Sequence, residues 1–340
     1  MPSRRSSPGK PPVAWTFRPE AEVPPFFGCG LSQNSLPRHC GGGVFSFPPE
    51  YRRRGLEDDP LTKLDTKRER LTGYIGQFES CAVAFSAGVD STVVARAARD
   101  VLGDRAVAVT GQSASLARGE LDQARELAAG MGIRHEVVQT DEFSRQEYTR
   151  NAPDRCYHCK TELYDWLEKL APELGVEVLF NGANLDDLGD YRPGMTAARE
   201  HDVRSPLVEA GFHKQDVRDL AAYWDLPVWD KPASPCLSSR VAYGLEVTPG
   251  RLARIDAAEQ FLRERGFSPL RVREHPGDMA RIEVPLDQID QLCEPLLLGQ
   301  VHEYLGQLGY QDIHVDMEGF RSGSLNQLVT LEAGPVKKYS

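Results

Sequence analysis

From residue 61 onward, short apolar runs alternate with segments that have the period of an amphipathic helix. The pattern predicts helices over 61–78, 91–102 and 116–131, and strands over 81–85, 106–110, 136–138 and 178–181. Such alternation is typical of a doubly wound α/β fold, in which helices cover both faces of a parallel sheet. Ligands then bind beyond the carboxyl ends of the strands. We therefore expect one α/β domain over residues 61–245.

The order of elements changes after residue 247. A helix is predicted over 251–265, followed by strands over 270–274 and 280–284, a further helix, and a strand over 313–316. This order predicts a smaller α+β domain over residues 247–328.

The two ends of the chain lack any such period. Ten of the 24 prolines fall within the first 49 residues, and we interpret residues 1–54 as a disordered tail, with a second short tail over 329–340. The first 54 residues hold eight Lys and Arg against three Asp and Glu, so the rest of the chain carries a formal charge of −15 out of a total of −10. An acidic folded region argues against nucleic acid as a partner, because phosphate binding requires an excess of positive charge.

Cysteine use and hydropathy bear on the compartment. Seven cysteines in 340 residues are too few for a disulfide scaffold. No apolar run approaches the ~20 residues of a membrane span, and no secretory signal is apparent. We expect a cytoplasmic protein with reduced thiols and no membrane association.

The most informative segment connects a predicted buried strand to the helix that follows it. It reads Ser86, Ala87, Gly88, Val89, Asp90 and Ser91. Backbone N–H groups at a helix start carry partial positive charge, and small residues let a phosphate approach them closely. Asp90 favours this interpretation only if Mg²⁺ accompanies the phosphate. By itself, a serine–glycine turn is more often a simple helix cap.

This segment resembles the Ser-Gly-Gly-x-Asp-Ser signature of the PP-loop ATP pyrophosphatases, with Ala87 in place of the first glycine. The resemblance implies that residues 86–91 bind ATP and hold the pyrophosphate that leaves when the α-phosphorus is attacked. A lysine of the Walker type is absent from the segment.

A polar and acidic segment follows the predicted strand over 178–181. It contains Gly182, Asn184, Asp186 and Asp187, with Asp190, Arg192 and Glu200 shortly after. Clustered carboxylates suit Mg²⁺, although a solvated acidic loop is equally compatible with these letters. The stretch Asp190-Tyr191-Arg192-Pro193-Gly194 is similar to a segment of the LarE sulfur transferases, a PP-loop family. The resemblance implies nucleotide contacts by Gly182 and Asn184, Mg²⁺ ligation by Asp90, Asp186, Asp187 and Asp190, and substrate contacts by Arg192 and Glu200.

Cys236 lies in a run rich in turn formers, Lys231-Pro232-Ala233-Ser234-Pro235-Cys236-Leu237-Ser238-Ser239-Arg240. Such a run exposes a thiol, and a cation such as Arg240 nearby would favour the thiolate. A lone cysteine is more often a buried apolar residue. The run resembles the LarE segment around its sulfur-donating cysteine, which implies catalytic roles for Cys236 and Arg240.

Cys156 and Cys159 have a spacing that lets both sulfurs reach one metal centre. With Cys236 as a distant third thiolate and no evident fourth ligand, the set suits a [4Fe–4S] cluster with one open iron. Zinc binding, redox pairing and accidental spacing are the alternatives. Some LarE-like proteins have three such cysteines, whereas those with one sacrifice its sulfur and are left with dehydroalanine.

The predicted strand over 270–274 carries Arg271 and Arg273, which alternation places on one face. Paired arginines can bind a phosphate, although exposed arginines on an edge strand are common. The LarE resemblance implies that this pair binds the phosphate of a nucleotide substrate, with Glu259 and Asp290 as supports. Residues 319–326 also resemble the C-terminal LarE pattern.

Together the motifs resemble LarE from about residue 64 to residue 328. The resemblance implies an ATP-dependent sulfur transferase that converts pyridinium-3,5-biscarboxylic acid mononucleotide to a thiocarboxylate for a nickel-pincer cofactor. It also implies a homo-oligomer, and the source of the sulfide stays open. The alternatives are a PP-loop enzyme that thiolates tRNA and an ATP-binding regulatory protein with a structural zinc.

Overall fold

The computed structural model of the protein describes residues 60–189 and 193–321. Both predicted tails, as well as Asp190 and Arg192, lie outside the described residues. The domain boundary near residue 246 stays a prediction. Within the described ranges, no helix is both long and apolar enough to cross a membrane.

The helices and strands follow the predicted alternation. The strands are β1 (Cys81–Ala84), β2 (Ala106–Gln112), β3 (Arg134–Gln139), β4 (Val178–Phe180), β5 (Arg271–His275), β6 (Met279–Glu283) and β7 (Asp312–Val315). The helices are α1 (Pro60–Ile75), α2 (Val89–Leu102), α3 (Glu120–Met131), α4 (Gln146–Thr149), α5 (Arg155–Leu174), α6 (Pro193–Glu200), α7 (Pro206–Glu209), α8 (Lys214–Tyr223), α9 (Pro249–Arg263), α10 (Ile289–Leu292) and α11 (Pro295–Gln307).

The first sheet is parallel, with the strand order β3-β2-β1-β4. The central strand β1 pairs with β2 and β4, and Val83 lies opposite both Ala108 and Phe180. Because all four strands run the same way, their carboxyl ends meet at one edge. The segments after β1 and β4 are therefore neighbours.

Apolar side chains are buried on both faces of this sheet. Val83 and Phe85 pack with α2 and α8 on one face, whereas Ala82 and Val109 pack with α5 and α6 on the other. The side chains of β1 alternate between the two cores because successive residues of a strand point to opposite faces. The predicted doubly wound α/β fold is confirmed.

The second sheet is small and mixed. β5 pairs antiparallel with β6, and β6 pairs parallel with β7. Its core is formed with α9 and α11, through side chains such as Leu262 and Leu305. Ala242 donates its backbone N–H to the Glu274 carbonyl at 2.9 Å, so the chain after Cys236 adds to the edge of β5.

The structure differs from the sequence prediction mainly at element ends and in one helix. The third helix begins at Glu120 rather than at residue 116, because Gly119 adopts a left-handed conformation (φ 82°) that interrupts the helical pattern. Helix α5 was not predicted from the sequence. Only three residues of α5 are buried, Arg155, Tyr164 and Leu167.

Candidate active site

The segment from Ser86 to Ser91 connects β1 to α2 at the carboxyl edge of the first sheet. The Ser86 backbone N–H donates to Ser91 Oγ at 3.2 Å, and the Ser91 hydroxyl donates to the Gly88 carbonyl at 3.1 Å. These bonds fold the segment, which we call the nucleotide loop, into a tight turn. The Ser86 side chain is exposed, whereas Ala87 and Val89 are buried beneath it.

Ala87 adopts a left-handed backbone conformation, with φ of 55°. An L residue other than glycine is strained there, because its Cβ approaches the neighbouring carbonyl oxygen. The PP-loop signature has glycine at this position. The left-handed conformation accounts for the glycine of the signature. In this chain the same conformation is kept with alanine, the smallest residue that has a Cβ.

Gly182 and Asn184 follow β4 and contact the nucleotide loop. A Cβ on Gly182 would lie 2.7 Å from the Ser91 backbone nitrogen, so this position accepts only glycine at the present spacing. Asn184 is buried and donates from Nδ2 to Asp90 Oδ1 at 3.1 Å. The two segments that the sequence assigns to ATP are thus in direct contact.

The predicted Mg²⁺ ligands have partners in the protein. Asp90 Oδ2 lies 2.5 Å from the Lys214 ammonium. Asp186 lies 2.6 Å from the His213 ring and accepts the Lys214 backbone N–H at 2.8 Å, and both bonds, the one from His213 first, lower the pKa of Asp186. Asp187 accepts the Asn184 backbone N–H at 3.0 Å. A cation at Asp90 would therefore take an oxygen that now faces Lys214.

Two lysines that sequence reasoning did not select reach the nucleotide loop. Lys214, at the start of α8, pairs with Asp90. Lys231 lies 3.4 Å from the Ala87 carbonyl through its ammonium group. Lys231 begins the run that resembles the LarE cysteine segment, and this was the one sequence signal that could have identified it.

Cys156 and Cys159 lie near the start of α5. A spacing of three residues puts them on the same side of the helix, and a helix start favours negative charge. The Cys156 residue is exposed and Cys159 is half-buried. Burial is the largest cause that raises the pKa of both thiols.

Cys236 is exposed and lies close to both members of the pair. Burial is the largest cause of the raised pKa of Cys156, and negative charge on Cys236 is the second largest. The charge on Cys236 also raises the pKa of Cys159. The structure therefore brings together the three cysteines that the sequence predicts as one set. By contrast, Cys81 is fully buried in β1, where burial raises the pKa of its thiol to about 12.

The three sulfurs are not all in contact with one another. Within the described ranges, the group of three ligand atoms lying within 4.8 Å of one another belongs to Asp165, Glu168 and His201, where Arg145 already lies 2.7 Å from Asp165. At least one of the cysteine sulfur separations therefore exceeds 4.8 Å.

Arg155 and Lys160 face the cysteine set, and sequence reasoning missed both. Arg155 is buried and donates to the Ser238 carbonyl at 2.8 Å, which ties the start of α5 to the segment after Cys236. Burial by itself would lower the pKa of Arg155, but negative charge on Cys236 and Cys156 raises it overall. Their position next to the cysteine pair in the sequence was the available signal.

Arg240 is buried and does not face solvent beside the thiol. Its Nε donates to Glu259 Oε1 at 3.0 Å, and its Nη1 donates to the carbonyl of Pro235 and, at 3.1 Å, to that of Cys236. Glu259 is fully buried and also accepts the Val272 backbone N–H at 3.1 Å. The contacts of Arg240 fix the backbone around Cys236, while its predicted catalytic role stays a prediction.

Arg271 and Arg273 lie in β5, and both are buried rather than exposed. Arg273 donates to Glu283 at 2.6 Å and to the Ser239 carbonyl at 3.1 Å. The Arg271 guanidinium lies 4.9 Å from the Phe320 ring centroid. Burial, followed by the charges of Arg240 and Arg273, lowers the pKa of Arg271 to about 10. An anion would relieve this concentration of positive charge.

Two further residues predicted to contact substrate, Glu200 and Asp290, lie on other elements than the arginine pair. Glu200 is exposed at the end of α6 and accepts a hydrogen bond from the Tyr157 hydroxyl at 2.6 Å. Asp290 is exposed on α10.

The segment 231–240, which we call the cysteine loop, joins these parts. Its first residue, Lys231, contacts the Ala87 carbonyl of the nucleotide loop. Near its other end, the Ser239 carbonyl accepts a hydrogen bond from Arg273. Cys236 therefore lies on a loop that spans from the nucleotide loop to the arginine pair.

Comparisons with known proteins bear on the family of this chain. No family model matches the chain. An uncharacterised protein of Synechocystis is 45% identical over 267 residues, which cover 78% of this chain and 99% of that protein. Pyridinium-3,5-bisthiocarboxylic acid mononucleotide synthase of Lactiplantibacillus plantarum is 38% identical over 271 residues, covering 79% of this chain and 97% of that enzyme.

A more distant relative is a tRNA-specific 2-thiouridylase of Azorhizobium caulinodans, which is 33% identical over 191 residues. That match covers 45% of this chain and 48% of the thiouridylase, so it supports the superfamily rather than the family. The extent of the match to the bisthiocarboxylic acid synthase, together with the shared loop and cysteine motifs, leads to one assignment. The chain belongs to the LarE family of ATP-dependent sulfur transferases, within the PP-loop ATP pyrophosphatase superfamily.

Proposed function

We propose that the protein adenylylates a carboxylate of pyridinium-3,5-biscarboxylic acid mononucleotide and replaces one of its oxygens by sulfur, as a step in nickel-pincer cofactor biosynthesis. The observation that carries this proposal is the course of the cysteine loop. It holds an exposed thiol between a nucleotide loop at one end and a buried arginine pair at the other. A substrate phosphate on the arginines and ATP on the nucleotide loop would flank the thiol.

The first step is adenylylation. The substrate carboxylate oxygen attacks the α-phosphorus of ATP, the bond from that phosphorus to its bridging oxygen breaks, and pyrophosphate leaves. Residues 86–91 offer the backbone N–H groups of the α2 start and the Ser86 hydroxyl to the departing phosphates. This activation is needed because oxide is a poor leaving group, whereas AMP is a good one.

The family uses ATP and Mg²⁺. In our proposal Asp90, Asp186 and Asp187 would hold the ion, together with Asp190, which lies outside the described residues. The carboxylates suit this role because oxygen donors are those that Mg²⁺ prefers. The ion would neutralise phosphate charge, while the protein's own groups orient the triphosphate.

The second step is sulfur transfer. The Cys236 thiolate attacks the activated carbonyl carbon, and AMP leaves with its bonding electron pair. Loss of the Cys236 Cα proton and cleavage of its Cβ–Sγ bond would then release the thiocarboxylate and leave dehydroalanine. Arg155, with its link to the Ser238 carbonyl, supports the position and the negative charge of this sulfur.

A [4Fe–4S] cluster on Cys156, Cys159 and Cys236 is the alternative sulfur site. A zinc ion with bonds of ~2.3 Å holds its sulfurs within about 4 Å of one another, whereas in a cluster each thiolate binds a different iron. At least one of the three sulfur separations exceeds 4.8 Å, which is wider than a zinc site requires. The cluster would supply an open iron that binds external sulfide, from a source that we leave open. Arg155 and Lys160 would offset its negative charge.

Two further properties belong to the proposal. We place the protein in the cytoplasm, because the described cysteines are free thiols and the chemistry needs them reduced. Family resemblance supports a homo-oligomer.

Thiolation of tRNA is the second candidate, favoured by the match to the tRNA 2-thiouridylase. One experiment separates the two functions. Purified protein is incubated with ATP and Mg²⁺ together with either the dicarboxylated nucleotide or tRNA, and pyrophosphate is measured. Pyrophosphate release that depends on the nucleotide supports our proposal, and release that depends on tRNA supports thiolation. The absence of release with either substrate contradicts both functions.

Mass spectrometry of the reacted protein distinguishes the two sulfur sources. A loss of about 34 Da at Cys236, the mass of H₂S, indicates sacrifice of its sulfur. An intact Cys236 after several turnovers under anaerobic conditions with added sulfide indicates the cluster. Cys236→Ala is expected to block thiocarboxylate formation after pyrophosphate release, and product from this variant would contradict either role of Cys236.

A further inference from the structure

Lys231 extends from the cysteine loop to the nucleotide loop. Its ammonium group lies 2.5 Å from Gln123 Oε1, 3.1 Å from Glu120 Oε2 and 3.4 Å from the Ala87 carbonyl oxygen. The three acceptors match the three N–H bonds of an ammonium group. The contact with Ala87 is the longest, and it holds the charge at the nucleotide loop.

The nucleotide loop itself lacks a cation. Its residues are Ser, Ala, Gly, Val, Asp and Ser, and the one charged side chain among them is the carboxylate of Asp90. A triphosphate carries several negative charges, and backbone N–H groups supply only partial positive charge. The Lys231 ammonium lies 3.4 Å from the Ala87 carbonyl on a flexible four-carbon side chain, which can turn toward a phosphate bound at this loop.

We propose that Lys231 binds the polyphosphate of ATP and stabilises the negative charge that develops on pyrophosphate as it leaves. The proposal deepens the proposed function and rests on it for the identity of the leaving group. Since Lys231 and Cys236 lie five positions apart on the cysteine loop, one segment then serves both half-reactions. A phosphate on Lys231 would fix the loop that carries the sulfur.

Glu120 provides a way to tell this role from a structural one. Its Oε2 faces Lys231, and its Oε1 accepts a hydrogen bond from Ser234 at 3.0 Å, so one carboxylate holds the cysteine loop at two points. If Lys231 served only to anchor the loop, removing either partner of the ion pair would have the same effect. If Lys231 binds phosphate, Glu120 competes for it, and removing the Glu120 charge does not weaken phosphate binding.

The test measures the dissociation constant of Mg²⁺ with α,β-methylene ATP by titration calorimetry, in the full-length protein and four variants. Lys231→Met is expected to raise the dissociation constant by about 10- to 100-fold, as expected for loss of a charge-assisted hydrogen bond, and Lys231→Arg by less. Glu120→Gln is expected to lower it or leave it unchanged. Ser234→Ala, the matched control for loop anchoring, is expected to stay within about twofold of wild type, since no charge changes.

Two results would overturn the proposal: Lys231→Met binding within about twofold of the wild type, or Glu120→Gln weakening binding as much as Lys231→Met. Lys231→Arg and Glu120→Gln keep the test valid should Lys231→Met fail to fold. Because the readout is binding of an analogue that does not react, it stands apart from the substrate assay. A wild type that releases no pyrophosphate with the dicarboxylated nucleotide would refute the proposed function and leave this result intact.

Discussion

At the scale of single residues, backbone conformation explains why the nucleotide loop requires small side chains. Ala87 is fully buried and has φ of 55°, so its Cβ is strained by the backbone and enclosed by neighbours. Glycine relieves the strain, but it loses more conformational entropy than alanine when the chain folds. A β-branched residue increases the strain and adds volume.

Two substitutions at this position are therefore expected to differ in stability. Ala87→Gly is expected to leave the free energy of unfolding unchanged or raise it by up to about 1 kcal/mol, whereas Ala87→Val lowers it by roughly 1–3 kcal/mol. Urea denaturation of both variants measures the difference. Equal stability of the two variants would contradict a left-handed conformation at Ala87.

At the scale of elements, the site depends on how closely the segment after β4 approaches the start of α2. Gly182 leaves 2.7 Å between a hypothetical Cβ and the Ser91 backbone nitrogen, and 3.1 Å to the Asp90 carbonyl carbon. Both obstacles are backbone atoms, which cannot rotate away. Separation of the two segments would also lengthen the hydrogen bond from Asn184 to Asp90.

Gly182→Ala is accordingly expected to lower the free energy of unfolding by about 1–3 kcal/mol and to weaken ATP binding. Gly250, in the first turn of α9, is the matched control, because a Cβ there meets no atom within 4 Å. Gly250→Ala should raise stability by up to about 1 kcal/mol through helix propensity. Thermal unfolding of both variants, with and without ATP, measures their stability and their ATP binding. A Gly182→Ala protein with wild-type ATP affinity would contradict the close approach.

At the scale of the whole molecule, a buried ion pair connects the cysteine loop to α9 and β5. Glu259 is fully buried and accepts hydrogen bonds from Arg240, from Arg263 at 2.5 Å and from the Val272 backbone. Because Arg240 also binds the carbonyls of Pro235 and Cys236, the position of the thiol depends on residues far away in the sequence.

Glu259→Ala leaves the buried Arg240 guanidinium without its carboxylate, and we expect a loss of about 3–5 kcal/mol in the free energy of unfolding. The control is Glu264→Ala, directly after the end of α9, where the side chain is exposed and the change should stay within about 0.5 kcal/mol. Denaturant unfolding compares them. A Glu259→Ala protein as stable as the control would mean that the pair contributes no net stability.

Much of the site could be predicted from local patterns. The loop after β1, the polar segment after β4 and the cysteine set are all read from short motifs, and parallel strands bring the first two together at one edge. Lys214, Lys231 and Arg155 could not be predicted in this way. Their roles follow from contacts across more than 80 positions, such as that between Arg155 and Ser238, and lysine and arginine letters are common on any surface.

The order of apolar and amphipathic segments determined the α/β fold, because each element must bury its apolar side and only a few arrangements achieve this. The motifs determined the family. Only the tertiary structure decided which charges meet. It buried Arg240 against Glu259, placed Arg155 beside the thiols, and brought Lys231 to the nucleotide loop. The physical reason is that periodicity reports which side of an element is buried, whereas an ion pair forms between particular atoms whose distance is set by the packing of the whole chain.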